Sequence, residues 1–309
     1  MTEDEAKKGN LFDVLEWENY IGQEKIKERL QIKIQAAMAR FEQMDHALIL
    51  GQSGTGKTTI ARLIAKEHNA SFLDIMITPS FTPKTLAKML IQFEEEEDGG
   101  IVLLDELHNF TKKDQHYLYS ILLDNCISYD SGKRHYFTKP ITIIAATTDE
   151  KDLTPALRGR FGAPYRLRDY TDKEMGQIVE RMAYKAGLDP TIETCVALGR
   201  ASAGSPRQAA DLIKTARDLG SMDPGPILEL SEITKDGLTV DHIAILESLR
   251  NLGNIAGLEN ISNHSGRARE DIVTLEKLLV KKGLIDMGGK GRELTIKGMK
   301  ALNEAVGKK

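Results

Sequence analysis

The eight residues from Gly51 to Thr58 constrain the fold of this chain more than any other feature of its sequence. They read Gly-Gln-Ser-Gly-Thr-Gly-Lys-Thr and match the phosphate-binding pattern G-x-x-x-x-G-K-[ST] completely. The run directly follows a predicted strand and directly precedes a predicted helix, which is the context that the pattern requires. This placement disfavours the alternative, a glycine-rich turn that Lys and Thr follow by accident.

Such a loop binds the phosphates of a nucleoside triphosphate. Its glycines let the backbone N–H groups turn inward, and the following helix adds the positive end of its dipole. Lys57 supplies a full positive charge, and the Thr58 hydroxyl is a ligand for Mg²⁺. The predicted nucleotide-binding residues of the loop are Gly51, Gly54, Thr55, Gly56, Lys57, Thr58 and Thr59.

Two adjacent acids follow the apolar run Val102–Leu104 further along the chain. Two acids after a strand are common and often lie at a solvated strand end. Together with the phosphate loop, however, they predict the second acidic element of a nucleotide hydrolase. Asp105 would hold Mg²⁺ and Glu106 would polarise the attacking water.

Short apolar strands alternate with helical segments through the first half of the chain. This alternation predicts an α/β fold, a parallel sheet with helices on both faces. A β-hairpin is predicted at Ile127–Tyr129 and Arg134–Phe137, and from Thr171 onward the pattern is helical only. The predicted strands are 46–50, 72–77, 101–104 and 141–146, and the helix before them spans 23–41.

The C-terminal segment has the pattern of a winged helix. Three helices are predicted at 239–251, 255–261 and 267–282, and a strand, a glycine-rich tip and a second strand follow. Residues 238–309 carry 12 basic and 9 acidic side chains, against 30 and 37 in the rest of the chain. Such modules bind DNA with a recognition helix and a wing, although some dock proteins instead. The predicted DNA contacts are Arg267 and Arg269 on the helix and Lys290 and Arg292 at the wing tip.

Composition excludes several classes of protein. With 41% hydrophobic and 28% charged residues, the chain is of the ordinary globular type. No run approaches the roughly 18 apolar residues of a membrane span, and Met1–Asn10 does not resemble a secretory signal, so we expect a cytoplasmic protein without membrane contact. Cys126 and Cys195 lie far apart and are expected to be small buried hydrophobes.

The order of these motifs resembles that of the AAA+ ATPases, and it is similar to the RuvB family in particular, the hexameric motors of Holliday-junction branch migration in bacteria. The resemblance runs from about Trp17 to the C-terminus. It implies a P-loop AAA+ core at 11–170, an all-helical lid at 171–237 and a winged-helix DNA-binding domain at 238–309. The matching segments are 20–24, 45–46, 104–108, 145–148, 157–162, 204–207 and 288–295.

The resemblance also implies roles for single residues. Thr148 would be the sensor of the γ-phosphate, with Thr147 as the second choice. Arg160, or else Arg158, would be the arginine finger that reaches a neighbouring subunit's nucleotide. Arg207 would sense the γ-phosphate of its own subunit, and Tyr20 and Ile21 would bind adenine. These roles imply ATP and Mg²⁺ as ligands, a homo-oligomeric ring, expected to be a hexamer, and duplex or four-way junction DNA as the partner.

The predicted hairpin is shorter than in typical RuvB, where it docks onto RuvA. This puts a standard contact with a RuvA-like partner in doubt, and Lys133, Arg134 and His135 near its tip could contact DNA, another partner or solvent. Two alternatives to a DNA-translocating motor stay open at this point. One is a nucleotide-dependent loader or switch that places a partner protein on DNA. The other is a non-enzymatic DNA-binding regulator.

Overall fold

The computed structural model describes residues 14, 16–97, 99–129 and 133–307. The chain forms two compact units, one that ends at Glu174 and one that begins at Met175. The predicted core falls in the first unit. The predicted lid, apart from its first four residues, and the predicted winged helix share the second unit.

A parallel sheet forms the centre of the first unit. Its strands in the described residues are β1 (Ala47–Leu50), β2 (Ser71–Met76), β3 (Gly100–Asp105), β6 (Ile141–Thr147) and β7 (Tyr165–Arg166). The order across the sheet is β2-β3-β6-β1-β7. Strand β6 therefore lies between the strand that precedes the phosphate loop and the strand that ends in Asp105.

Alternation along the strands explains why the sheet is covered on both sides. On β3, Val102 and Leu104 belong to one apolar cluster, while Ile101 and Leu103 belong to the other. All four side chains are buried, as expected for a parallel sheet between two helical layers. The helices of this unit are α1 (Glu24–Ala39), α2 (Lys57–Glu67), α3 (Pro83–Glu96), α4 (His116–Asp124) and α5 (Pro155–Arg160).

The predicted hairpin is present as β4 (Cys126–Tyr129) and β5 (Lys133–Tyr136), which pair antiparallel. Its turn, at 130–132, lies outside the described residues. His135 contacts the body of the unit, because its Nε2 lies 2.6 Å from Oε2 of the buried Glu94 on α3. Burial alone would raise the pKa of Glu94. The N–H of Lys139, the His135 ring and Thr138 outweigh that effect and lower the pKa to about 2.

The second unit begins with helices, as predicted. They are α6 (Asp172–Lys185), which starts within the first unit, α7 (Ile192–Ala201), α8 (Pro206–Leu219) and α9 (Pro224–Leu230). Helices α6 and α7 approach closely, since a Cβ added to Gly199 would lie 2.6 Å from the Gly176 nitrogen. The predicted loop at 220–226 is shorter than expected, because Asp223 caps α9 by accepting a bond from the Gly225 N–H.

The winged helix is present, but Arg267, which was predicted on the third helix, lies before that helix, and two further differences follow. Ile255 and Ala256 form strand β8 instead of a helical turn, and Ala256 pairs with Arg292 of the wing. A C-terminal helix, which the sequence pattern did not predict, follows the wing. The elements are α10 (Val240–Asn251), α11 (Leu258–Ser265), α12 (Arg269–Lys281), β9 (Ile285–Gly288), β10 (Gly291–Leu294) and α13 (Ile296–Val306).

Both cysteines are free and buried, as predicted. Across the residues that the structure describes, no helix combines the length and the apolar character that a membrane crossing needs.

Candidate functional site

The phosphate loop lies at the carboxyl edge of the sheet, between β1 and α2. Gly54 and Gly56 have φ of 82° and 95°, in the left-handed region that favours glycine. The buried Lys57 donates from Nζ to the carbonyl oxygens of Gly51, at 3.0 Å, and Gln52, at 3.3 Å. Phosphate oxygens can replace these carbonyls as acceptors, so the ammonium is already in place for a triphosphate.

Two tyrosines form hydrogen bonds to the backbone of the phosphate loop. The hydroxyls of Tyr20 and Tyr170 both donate to the Thr55 carbonyl oxygen, at 3.2 and 3.1 Å. They lie so close that a Cβ on Gly56 would be 2.4 Å from the Tyr20 hydroxyl oxygen. Tyr170 was not predicted from the sequence, although it directly precedes the segment that was predicted to be helical from Thr171 onward. Ile21, predicted beside Tyr20 at the adenine, is partly buried.

Thr58 and Asp105 meet at this edge of the sheet. The Thr58 hydroxyl donates to Oδ2 of Asp105 at 3.1 Å, so a hydroxyl and a carboxylate oxygen are adjacent. Such oxygens suit Mg²⁺, which usually takes one or two protein ligands and completes its shell with water and phosphate oxygens. Within the described ranges, no cluster of three or more His, Cys, Asp or Glu side chains could hold a metal by itself. The residues present therefore fit a metal that binds together with nucleotide.

Glu106 has an unusual backbone conformation. Its φ of 55° lies in the left-handed region, and its N–H donates to Oδ1 of Asp105 at 2.9 Å. Its Oε2 is buried and accepts no hydrogen bond from the described residues. Strained backbones and unsatisfied carboxylates are costly, and they are found most often where a reaction needs them.

The end of β6 carries both threonines considered as sensor. Thr147 is buried, and its hydroxyl accepts a bond from the Asp149 N–H at 3.1 Å and lies 3.0 Å from Nδ1 of His108. Thr148 follows the strand and is partly exposed. No role was predicted for His108 from the sequence. Its position two residues after Glu106 was the available signal.

The two candidate arginine fingers differ in their surroundings. Arg158 lies 3.5 Å from Glu150, which also binds Arg166. Arg160 instead places its guanidinium 4.2 Å from the ring centre of Tyr119 and donates to the Ala156 carbonyl oxygen at 2.7 Å. Arg207 is exposed in the first turn of α8, in the second unit.

The structure separates the four predicted DNA contacts. Lys290 lies exposed at the wing tip, and Arg269 forms an exposed ion pair of 2.8 Å with Glu259. Arg267 is bonded to Asp241 of α10 through its Nε at 2.9 Å. Arg292 does not point outward from the tip, because its guanidinium donates to both carboxylate oxygens of Glu276 and is mostly buried. Arg292 is therefore withdrawn as a direct DNA contact.

Two family models match this chain. The family model described as the Holliday junction DNA helicase RuvB P-loop domain matches residues 14–167. The model described as the RuvB C-terminal winged helix domain matches residues 235–303.

Individual relatives and structures extend the similarity to nearly the whole chain. Two proteins named Holliday junction branch migration complex subunit RuvB are similar to this chain. The protein from Fervidobacterium nodosum is 33% identical over 301 residues, and the protein from Campylobacter fetus is 34% identical over 303 residues. Each match spans 92% of this chain and 86% of the relative. The structure of the Thermotoga maritima RuvB Holliday junction branch migration motor has a TM-score of 0.81 at 26% identity, covering 95% of this chain and 99% of that one. The chain therefore belongs to the RuvB family.

Proposed function

We propose that this chain is an ATP-driven motor that moves duplex DNA, and that its reaction is branch migration of four-way junctions. The observation that carries the proposal is the meeting of Thr58, Asp105 and Glu106 beside the phosphate loop. Membership of the RuvB family and the winged helix in the same chain support the choice of DNA as the substrate of the motion. Work on DNA implies a cytoplasmic protein.

In the proposed reaction, the loop N–H groups and Lys57 bind the triphosphate and neutralise its charge. Thr58 and Asp105 would hold Mg²⁺, which would supply positive charge against the phosphates. Glu106 orients the attacking water through the carboxylate oxygen that the described residues leave without a hydrogen bond. Thr148 contacts the γ-phosphate or this water from the end of β6.

Hydrolysis also needs positive charge on the outer side of the γ-phosphate. We assign this role to Arg160 of the adjacent subunit, since its Tyr119 and Ala156 contacts can be exchanged for a phosphate at less cost than an ion pair. Arg207 would act on the nucleotide of its own subunit. A finger supplied by a neighbour requires head-to-tail contact between copies, and we take the assembly to be a closed homohexameric ring.

DNA binding is assigned to the winged helix. Lys290 would contact phosphate from the wing, where Gly288 and Gly289 let the backbone approach the duplex. Arg269 would contact phosphate from the start of α12, because its exposed pair with Glu259 is weak enough to open. Such contacts do not read base sequence, which suits a motor that must pass over any sequence.

The hairpin is the proposed element for contact with a RuvA-like partner, since the relatives are named as subunits of a complex. Lys133 and Arg134 are exposed on β5, whereas His135 is bound to Glu94. We therefore expect a partner to contact Lys133 and Arg134. Gel filtration of the chain with RuvA and a four-way junction tests this contact, and an Arg134→Glu variant should weaken it.

The test of the function is Glu106→Gln, which keeps the shape of the side chain and removes its charge. We expect ATP to bind with unchanged affinity, while phosphate release and movement of a dye-labelled junction are both lost. Glu95→Gln is the matched control, because Glu95 is exposed on α3. Unchanged turnover in Glu106→Gln would overturn the mechanism. Parent protein that hydrolyses ATP on DNA without moving the junction would instead be a loader.

A further inference from the structure

The ring of His108 lies between the ends of two neighbouring strands. A 3₁₀ turn at Leu107–Asn109 follows Glu106 directly and carries the ring from the end of β3 toward the end of β6. Its Nδ1 is 3.0 Å from the Thr147 hydroxyl oxygen and 3.3 Å from Oε2 of Glu106. One nitrogen thus faces both a strand end of the nucleotide site and the proposed catalytic carboxylate.

The Nδ1–H group of His108 has two possible hydrogen-bond acceptors, the Thr147 hydroxyl and the Glu106 carboxylate. The Thr147 hydroxyl donates to the Asp149 carbonyl oxygen at 3.2 Å and accepts from the Asp149 N–H at 3.1 Å, which leaves an oxygen lone pair toward His108. In the structure the hydrogen bond of Nδ1 is with Thr147, since Oε2 of Glu106 is buried and accepts no hydrogen bond from the described residues, although Nδ1 lies only 3.3 Å from it. The Nδ1–H group can donate one full hydrogen bond, either to the Thr147 hydroxyl or to the Glu106 carboxylate, but not to both at once.

The backbone of Glu106 is fixed, so the hydrogen bond of His108 can affect only the position of the Glu106 side chain. Its left-handed φ of 55° and the bond from its N–H to Asp105 fix the Cα, so the remaining freedom is in the side chain. His108 can limit that freedom, because its Nδ1 lies 3.3 Å from Oε2 of Glu106. A carboxylate displaced by about 1 Å from its working position can cost about 100-fold in rate.

We propose that His108 is a positioning residue for hydrolysis: it orients the Glu106 carboxylate and links it to the end of β6, where Thr147 and Thr148 lie. When the Nδ1–H group donates its hydrogen bond to Thr147, Oε2 of Glu106 is free to accept a bond from the attacking water. When the Nδ1–H group donates to Glu106 instead, the carboxylate is held away from water. In this role His108 acts through Glu106 and not by binding nucleotide. The inference rests on the role assigned to Glu106 under the proposed function.

Three variants test the inference by steady-state ATP hydrolysis on DNA. His108→Leu removes the donor and should lower kcat about 10- to 100-fold, with KM for ATP changed less than about twofold. His108→Asn keeps an N–H near the position of Nδ1 and should recover kcat to within about threefold of the parent. Asn109→Ala is the matched control, because the Asn109 side chain anchors the same turn to the Ile77 carbonyl oxygen, while its contact with Glu106 is made by the backbone N–H, which the substitution keeps.

The outcomes separate this inference from the proposed function. Full turnover in His108→Leu beside an inactive Glu106→Gln would overturn the inference alone, whereas turnover in Glu106→Gln would remove the role of Glu106 itself. A loss in Asn109→Ala as large as that in His108→Leu would show that the turn matters and the imidazole does not. No recovery in His108→Asn, with an unchanged unfolding midpoint, would also overturn the inference.

Discussion

The Glu276 carboxylate on α12 accepts two hydrogen bonds from the Arg292 guanidinium on β10, at 2.7 and 3.0 Å. Both side chains are mostly buried, with 10% and 14% of their surface exposed. The pair is bidentate and joins the proposed recognition helix to the wing. We therefore expect Arg292 to affect DNA binding through the position of the wing, while Lys290 is exposed at the tip.

Removal of one partner of this pair should destabilise the winged helix. Glu276→Ala leaves Arg292 buried without a counter-charge, and we expect a loss of about 3 kcal/mol in the free energy of unfolding. The double variant Glu276→Met with Arg292→Met removes both charges and should recover most of the loss. Urea unfolding of the three proteins measures the difference. Equal losses in the single and double variants would contradict a coupled pair.

Lys290 should contribute to DNA affinity without regard to sequence. Lys290→Ala removes one phosphate contact, so the slope of log affinity against log salt should fall by about 0.9. Lys214→Ala is the control, because Lys214 is an exposed, paired lysine on α8. Fluorescence anisotropy on two unrelated duplexes between low and moderate salt gives the slopes. A slope unchanged from the parent would rule out a phosphate contact for Lys290.

The two tyrosines on the phosphate loop should affect ATP binding more than catalysis. Tyr20→Phe or Tyr170→Phe removes one of two donors to the Thr55 carbonyl, a hydrogen bond worth about 1 kcal/mol, and should raise KM for ATP up to about fivefold. Because both donors share one acceptor, the double variant should exceed the sum of the single effects. Tyr184→Phe is the control, since Tyr184 is 59% exposed on α6. A main effect on kcat would contradict this role.

The contact between Glu94 and the hairpin residue His135 should weaken at acidic pH. The pKa of Glu94 is about 2 in the folded chain and 4.5 in the reference state, so its contribution to stability is present above pH 4.5 and is lost as pH falls toward 2. The full difference is about 3 kcal/mol. Glu94→Gln should lower stability at pH 6 and flatten the loss between pH 5 and 3, as measured by urea unfolding. Parallel pH curves for parent and variant would contradict the assignment.

Local patterns predicted the elements of this chain well, because the signals act within a few residues. Thr82 caps α3 and the Thr171–Glu174 box caps α6, each through contacts three residues apart. The phosphate loop and the acids after β3 were predicted for the same reason. The functional site was predicted less completely, because residues that contact each other there are far apart in the sequence. Tyr170 reaches Thr55 across 115 residues, and His108 reaches Thr147 across 39.

Long-range pairing also explains the errors in the C-terminal segment. Ile255 and Ala256 have apolar side chains that fit a helix or a strand, and their pairing with β10 decides between the two. Arg292 was expected to contact DNA from the wing tip because it ends the glycine-rich run that begins at Gly288. Glu276, sixteen residues earlier, turns it inward, and no local pattern contains that partner.

The central claim is that ATP cleavage belongs to the assembly, since Arg160 completes the site of a neighbouring subunit. Mixing two inactive variants tests this claim most directly. Arg160→Ala keeps an intact P-loop site, and Glu106→Gln keeps an intact finger, so in equal mixtures about a quarter of the sites should combine both. We predict that DNA-stimulated phosphate release returns on mixing to about that fraction of the parent rate. A mixture no more active than the two variants measured separately would contradict the claim.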